Sequence, residues 1–227
     1  MNLQNLKQYI ELYHFGGIAD FFVDETPPKK TLPKKSYNAA DKDFQHLIEK
    51  YADCKSCRYH ESNKRIIHGQ GVKNATVMMI GLPPSHDEIK NGKPFKFIGD
   101  RRETFLKILK AIELDINDFY ATNIIKCRTT DYEAIEVSKC LPYLNDQLDI
   151  VKPKIILIFG FFVANIIFKK NENVEYYRLH QGQSYKGVPV YITYNPEEMI
   201  KNESLKRPAW QDLQKFKEKY LELKVMI

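Results

Sequence analysis

The four cysteines of this chain limit its possible folds more than any other feature. Cys54 and Cys57 are separated by two residues, whereas Cys127 and Cys140 are separated by twelve. A C-x2-C pair lets two thiolates reach one metal centre from a single turn, but a zinc ribbon would repeat that pair. One close pair and two isolated cysteines therefore favour a four-thiolate iron–sulfur cluster of the 4Fe-4S type over a tetrahedral zinc site. Such a cluster would join two segments that are far apart in the sequence.

Three other interpretations of the cysteines stay open: a zinc site, two disulfide bonds, or four unrelated buried thiols. Disulfide bonds need an oxidising compartment, and the chain begins MNLQ without an apolar signal segment. The longest apolar run, residues 155–167, is interrupted and falls short of the roughly 20 residues of a membrane span. We therefore expect a cytoplasmic protein without membrane contact, associated with the nucleoid if it is bacterial or archaeal.

The charge of the chain is mildly basic. Its net charge of +6 at pH 7 favours a polyanionic partner such as nucleic acid, although a lysine-rich surface can also be merely solvated. Several basic residues flank the cysteines, where they could contact DNA phosphates. These candidate DNA-binding residues are Lys55, Arg58, Arg65, Lys126 and Arg128.

Composition divides the chain into two parts. Residues 1–23 have apolar residues at helical spacing, which ends at two adjacent glycines. Residues 24–40 contain three prolines among lysines and are typical of an extended tether. We therefore expect an N-terminal helical arm and Pro/Lys-rich linker over residues 1–40, followed by one domain over residues 41–227.

The domain alternates between strand and helix patterns. Nearly continuous apolar runs separated by helices predict a parallel sheet that is buried on both faces. The predicted fold is therefore α/β, a three-layer α/β/α arrangement with a short, mainly parallel central sheet. The predicted strands are 76–80, 119–125, 155–159 and 188–194, and the predicted helices are 103–112, 133–150, 161–168 and 210–223, with a further helix from residue 41 into the first cysteine pair.

Polar or unusual residues follow three of these strands, at the edge where ligands gather in such folds. The first strand runs into a loop that begins at Gly81, the second contains Asn123, and the fourth is followed by Asn195. An asparagine inside an apolar run is costly unless it is hydrogen-bonded. Neighbouring backbone could satisfy Asn123, but an amide, with its adjacent donor and acceptor, can also read the edge of a base.

Several short motifs together resemble a known family. They are the cysteine layout, the loop from Gly81 to a Gly-x-Pro-Phe motif at 92–95, the run TNIIKC at 122–127, and Thr-Tyr-x-Pro at 193–196. In this order they resemble an iron–sulfur (family 4) uracil-DNA glycosylase over most of residues 50–220. The resemblance implies a DNA-repair enzyme that flips uracil out of DNA and hydrolyses its N-glycosidic bond. It also implies a 4Fe-4S cluster held by the four cysteines.

The resemblance also implies roles for individual residues. Asn123 would read uracil O4 and N3–H, and Phe95 would stack on the base. Phe97 is a rival for that stacking role, because two extra residues follow the Gly-x-Pro-Phe motif. The loop beginning Gly81-Leu82 would position the attacking water.

Two positions depart from the family pattern. Leu82 replaces an acidic residue of the first loop, and Asn195 stands where the family has a histidine that donates to the uracil carbonyl. An amide can donate one hydrogen bond but cannot carry a positive charge. The alternative function is therefore a catalytically weakened or inactive iron–sulfur module of the same fold that binds nucleic acid. An electron-transfer protein is a more remote interpretation.

The arm contains one further motif. Residues 15–22 end in Ile-x-x-Phe-Phe and resemble a sliding-clamp-binding box, but Phe15 stands where that box has a glutamine. The alternative is an arm helix that docks on the main domain.

Overall fold

The computed structural model describes residues 41–60, 65–114, 118–129 and 131–225. The predicted arm and linker at 1–40, with the clamp-binding motif at 15–22, lie outside these ranges. Among the described helices, none is both long and apolar enough to cross a membrane.

The described residues form a six-stranded mixed sheet in the order β1-β3-β2-β4-β6-β5. The four inner strands run parallel, and the short outer strands β1 and β5 pair antiparallel with β3 and β6. The strands are β1 Gln70–Gly71, β2 Val77–Gly81, β3 Phe119–Asn123, β4 Ile155–Phe159, β5 Gln183–Tyr185 and β6 Val188–Thr193.

Helices cover both faces of this sheet. Every residue of β2, β3 and β4 is buried, and successive strand residues point to opposite faces, so both faces must be covered. This confirms the predicted three-layer α/β/α fold. The helices are α1 Lys42–Lys50, α2 His86–Asn91, α3 Gly99–Ala111, α4 Ala134–Ser138, α5 Leu141–Val151, α6 Phe161–Phe168, α7 Val174–Leu179, α8 Pro196–Lys201 and α9 Lys206–Val225.

One predicted helix is wrong. The segment 133–150 forms two helices, α4 and α5, because Pro142 lies in the first turn of α5. Proline has no N–H to donate and its ring clashes with the carbonyl four residues earlier, so one continuous helix is excluded. The break lies at Cys140, which is thereby placed at a helix start.

The parallel strands bring separate loops to one edge of the sheet. Gly81 and Asn123 are paired residues at the ends of β2 and β3, and Phe159 and Thr193 are paired at the ends of β4 and β6. Residues that follow these strands therefore meet at the carboxyl edge, as the sequence predicts.

Candidate active site

A cavity of about 230 Å³ lies at the carboxyl edge of the sheet. Its walls come from the loop after β2, the end of β3, the start of α3 and the start of α8. All six residues predicted for the base pocket and the catalytic loop line this one cavity: Gly81, Leu82, Phe95, Phe97, Asn123 and Asn195.

Asn123 lines this cavity and has an unsatisfied hydrogen-bond acceptor in its side chain. The residue is 2% exposed, and its Nδ2 donates to Leu82 O at 2.8 Å and to Glu88 Oε1 at 3.1 Å. Its Oδ1 is buried without a partner among the described residues. Such orphan acceptors are rare and costly in proteins. An N–H of a ligand in the cavity would satisfy it.

Glu88 organises the cavity wall, and the sequence analysis missed it. Its Oε2 accepts from Ser85 N at 2.8 Å, and its Oε1 accepts from Phe95 N at 2.8 Å as well as from Asn123. The spacing Ser-x-x-Glu is the signature of a helix capping box, which α2 forms. That local signal identifies the cap, but the contacts with Phe95 and Asn123 depend on the fold.

Phe95 is held in an unusual backbone conformation. Its φ is 56°, in the left-handed region that non-glycine residues rarely adopt. Its ring packs against Phe97 and Phe159, with ring centroids 5.6 Å away in both cases. A Cβ on Gly81 would lie 2.8 Å from the ring, so this position requires glycine. Strain of this kind persists where contacts over-determine the backbone, as at binding sites.

Leu82 contributes to the cavity mainly through its backbone. Its carbonyl accepts the hydrogen bond from Asn123. Its side chain packs toward the backbone of Gly160, where a Cβ would lie 3.4 Å from Leu82 Cδ2. The apolar side chain therefore belongs to the core that surrounds the strand ends.

Asn195 has a local structural role at the start of α8. Its Oδ1 accepts from Glu197 N at 2.9 Å, and its backbone N–H donates to Glu198 Oε2 at 2.7 Å. These two bonds form the capping box of α8. The cap occupies Oδ1, so Nδ2 is the side-chain donor that a ligand could use.

Arg101 is a second cavity residue that the sequence analysis missed. Its guanidinium pairs with Asp87 in the first turn of α2 and lies 3.8 Å from Glu197 in the first turn of α8. It also lies over the Phe97 ring, 5.9 Å from the centroid. Arg101 thus ties two sides of the cavity mouth together. No sequence pattern identifies partners so far apart.

The four cysteines line a second, smaller cavity of about 30 Å³. All four are free thiols that are partly exposed. Burial, together with the other three cysteines nearby, raises the pKa of Cys127 to about 12. Burial likewise raises the pKa of the Cys57 and Cys140 thiols. The fold thus brings the predicted ligand set together.

The four thiols line one cavity but do not form a close group. Within the described ranges, no three His, Cys, Asp or Glu side chains converge closely enough to hold a single metal ion. A cube places each thiolate on its own iron, so it needs thiols around a space rather than at a common point. The four thiols line one cavity, which is compatible with that requirement.

The prediction that Lys126 binds DNA is wrong. The sequence places it among the DNA-binding residues, but the side chain is 2% exposed. Its Nζ donates to Thr122 Oγ1 at 2.6 Å, Asn123 O at 2.6 Å and Gln147 Oε1 at 2.8 Å. Burial lowers its pKa to about 8, an effect that Cys140 and Cys127 oppose. Its ammonium is directed into the protein and is not available to a phosphate.

The other predicted DNA-binding residues lie at the surface in different settings. Lys55 and Arg128 are exposed, and Arg128 also lines the larger cavity. Arg58 pairs with Glu133 at 2.8 Å. Arg65 donates to the carbonyl oxygens of the last turn of α2. Their contacts with DNA stay a prediction.

A doubly covered parallel sheet with an amide-lined cavity at its carboxyl edge is the arrangement expected of a uracil-DNA glycosylase. The chain belongs to the uracil DNA glycosylase superfamily, whose family model matches residues 68–214.

Among its relatives is the type-4 uracil-DNA glycosylase of Sulfurisphaera tokodaii, 32% identical over 77% of this chain and 84% of the relative. The type-4 uracil-DNA glycosylases of Saccharolobus solfataricus and Pyrobaculum aerophilum are each 29% identical. They cover 76% and 77% of this chain, and the matches span 84% and 93% of those relatives. These similarities confirm the family resemblance that the motifs indicate.

Proposed function

We propose that this protein removes uracil from DNA by flipping the nucleotide into the larger cavity and hydrolysing its N-glycosidic bond. The relatives named as type-4 uracil-DNA glycosylases support this activity. The observation that carries the assignment to this site is the unpartnered Oδ1 of Asn123 at the cavity. A flipped base presents its Watson–Crick edge to such a group.

Asn123 selects uracil by the order of donor and acceptor on its amide. Its Oδ1 accepts from uracil N3–H, while uracil O4 competes with the carbonyl of Leu82 for a hydrogen of Nδ2. Cytosine presents an acceptor at N3 and a donor at N4, so it opposes this pattern. Glu88 keeps the amide in the required orientation, because a flipped amide would place Oδ1 against its carboxylate.

Hydrolysis requires a positioned water molecule and a stabilised uracil anion. In the loop after β2, Pro83 and Pro84 have no N–H, and the N–H of Ser85 is bound to Glu88. The N–H of Leu82 and the loop carbonyls are therefore the groups that orient the water. How firmly these groups hold the water determines how far the rate of uracil removal by this chain differs from that of its relatives.

Asn195 stabilises the departing base through Nδ2, the donor that its helix cap leaves over. A neutral amide at this position supplies less stabilisation of the uracil anion than an imidazole. Loss of one such donor typically costs about 10²–10³ in rate. We therefore expect a slow enzyme. The alternative function is a module that binds uracil-containing DNA without turnover. It rests on the same weaker stabilisation of the uracil anion.

The residues that would hold the 4Fe-4S cluster are Cys54, Cys57, Cys127 and Cys140, which share one cavity. Bound there, the cluster supplies a rigid covalent connection between the segment after α1, the turn after β3 and the start of α5. Lys55 and Arg128 then contribute phosphate contacts on the surface beside it.

The test uses anaerobically purified full-length protein and DNA with one uracil, in single-stranded and double-stranded form. Under single-turnover conditions we expect alkali-labile abasic sites at the uracil position. DNA with cytosine at that position is the matched control and should stay intact, because its N3 and N4 groups oppose the Asn123 amide. Tight uracil-specific binding without abasic sites would replace the enzyme with the non-catalytic module.

A further inference from the structure

We propose that Lys126 is a positioning residue that links the iron–sulfur cluster to the uracil pocket. Its ammonium balances the negative charge of the thiolate-bound cluster and holds the end of β3 through the carbonyl of Asn123. This inference rests on the proposed function, since it takes the cluster to be bound by the four cysteines.

The contacts of Lys126 place it between the two sites. It precedes Cys127 in the chain, and its Nζ lies 2.6 Å from the carbonyl oxygen of Asn123. The ammonium also lies 5.1 Å from the centroid of the Tyr143 ring. Tyr143 lines the cysteine cavity and Asn123 lines the base cavity. One buried side chain therefore touches the walls of both.

The hydrogen-bond partners of Lys126 form an ordered network. Besides Asn123 O, its Nζ donates to Thr122 Oγ1 and to Gln147 Oε1. Thr122 Oγ1 donates to the same Gln147 oxygen at 2.9 Å, and Gln147 Nε2 donates to the hydroxyl of Tyr120 at 3.1 Å. The ammonium hydrogens thus all have acceptors, which fixes the side chain in one position.

The network does not supply a counter-charge. No carboxylate among the described residues forms an ion pair with Lys126, although the side chain is almost fully buried. A buried ammonium without an opposite charge is strongly destabilising. The titratable groups that face it are the thiols of Cys127 and Cys140 and the imidazole of His68, which is not a source of negative charge. A cluster on those thiolates would provide the missing negative charge.

This arrangement gives the cluster a way to affect base recognition. With the negative cluster in place, Lys126 stays buried and keeps its bond to the carbonyl of Asn123. The amide of the same residue reads the base, and Glu88 orients it. Loss of the cluster would favour exposure of the ammonium and release the end of β3. The cluster thereby acts on the pocket without any redox step.

Two variants separate the charge of Lys126 from its hydrogen bonds. Lys126→Met removes both the charge and the donors at similar length. Gln147→Glu is isosteric and keeps the bond to Asn123, but it gives the ammonium a carboxylate partner and so cancels its charge. Lys139→Met is the control, because Lys139 is 44% exposed and pairs with Glu136 at the surface near the same cysteines.

The measurements are made on cluster-loaded, full-length protein: iron content, the rate of iron loss to a chelator, and the reduction potential by protein-film voltammetry. Removing a positive charge beside a cluster disfavours its reduction. We expect a more negative potential in both Lys126→Met and Gln147→Glu, and a clearly smaller shift in Lys139→Met. Lys126→Met should also lose iron roughly 10-fold faster, as groups around metal ligands control retention.

Uracil release then tests the link to the pocket. Lys126→Met should lower kcat by about tenfold or more with little change in KM, because small misplacements of a positioned group are costly. Gln147→Glu should keep kcat near that of the wild type, since the bond to Asn123 remains.

Absence of the cluster and absence of a role for Lys126 give different results. Wild-type protein without iron would overturn the proposed cluster itself. If the wild type contains iron but Lys126→Met and Gln147→Glu both keep its reduction potential, the role of Lys126 is overturned. The cluster assignment then stays intact. An equal shift in Lys139→Met would also overturn it. If Lys126→Met does not fold, the potential of Gln147→Glu decides alone.

Discussion

Glu88 Oε1 lies 3.1 Å from Asn123 Nδ2, and this contact determines which atom of the amide is left for a ligand. A half-turn of the amide would bring two acceptor oxygens together, so Oδ1 stays unpaired at the cavity. The same carboxylate oxygen binds Phe95 N. One buried acid thus sets both the base-reading amide and the backbone of a candidate stacking residue.

Asn123→Asp should weaken binding of uracil-containing DNA by roughly 1–3 kcal/mol, because a carboxylate offers only acceptors to uracil O4. It would also face the carboxylate of Glu88, and that repulsion disfavours the orientation that the side chain has in the wild type. Fluorescence anisotropy with uracil DNA and cytosine DNA measures the difference. Asn145→Asp is the control, because Asn145 accepts a hydrogen bond from Tyr185 and does not line the cavity. Unchanged affinity in the Asn123 variant would make Asn123 a structural asparagine.

Asn195→His should raise single-turnover uracil release by about tenfold or more, because it restores a stronger donor to the departing base. The same change removes the cap of α8 and should lower the free energy of unfolding by about 0.5–2 kcal/mol. Asn173→His is the matched control, since Asn173 caps α7 with a bond of 2.9 Å to Tyr176 N. It should lose similar stability without any gain in rate. If Asn195→His is stably folded and its rate of uracil release is unchanged, the loop after β2 limits the chemistry.

Gly81→Ala should displace the ring of Phe95, because the new Cβ would lie 2.8 Å from Phe95 Cζ. Overpacking of this kind typically costs about 1–3 kcal/mol of stability. We expect lower uracil release and a lower midpoint in urea unfolding. The double variant Gly81→Ala/Phe95→Leu should recover part of the stability, since the overlap is relieved. Additive losses in the double variant would contradict the contact.

Purified protein should be brown and contain about four irons per chain, as a four-thiolate cube requires. Cys127→Ser should lose iron and lower the thermal midpoint, because the cluster connects segments that are distant in the chain. Inductively coupled plasma analysis and visible absorption provide the measurement. Colourless protein with one zinc per chain would replace the cluster with a structural zinc site.

His68 should make the protein less stable in mild acid. Burial, together with the nearby positive charge of Lys126, lowers its pKa from 6.5 to about 4. Below pH 6.5 the unfolded chain therefore binds a proton that the folded protein does not, so stability falls as the pH drops toward about 4. His68→Gln should flatten this slope in urea unfolding series. An unchanged slope would assign the acid sensitivity to other groups.

Local patterns in the sequence were sufficient for the main architecture. The four inner strands lie close to the predicted runs, because most of their residues are apolar. Strands β2, β3 and β4 are buried along their whole length, and β6 is buried mainly toward its end. The motifs at the strand ends meet in one cavity, because parallel strands end at the same edge. The cysteine spacing also predicted that two distant segments converge.

Other features depended on contacts that no local pattern encodes. Lys126 follows a strand and neighbours a cysteine, so the sequence suggested a surface cation, yet its ammonium lies inside the protein among Thr122, Asn123 and Gln147. Pro142 in the sequence indicates that the predicted helix breaks at Cys140. The sequence does not show that this break places Cys140 at the cysteine cavity.

The sequence by itself determined the order of strands and helices, the family and the set of candidate residues, since hydrophobic period and turn chemistry act over a few residues. The tertiary structure decided which polar atoms are satisfied. Glu88 reaches Asn123 across 35 positions of the chain, and Arg101 reaches Glu197 on another helix. Such pairings follow from how the elements pack around the sheet, because a buried donor or acceptor takes whichever partner the fold brings within hydrogen-bond distance.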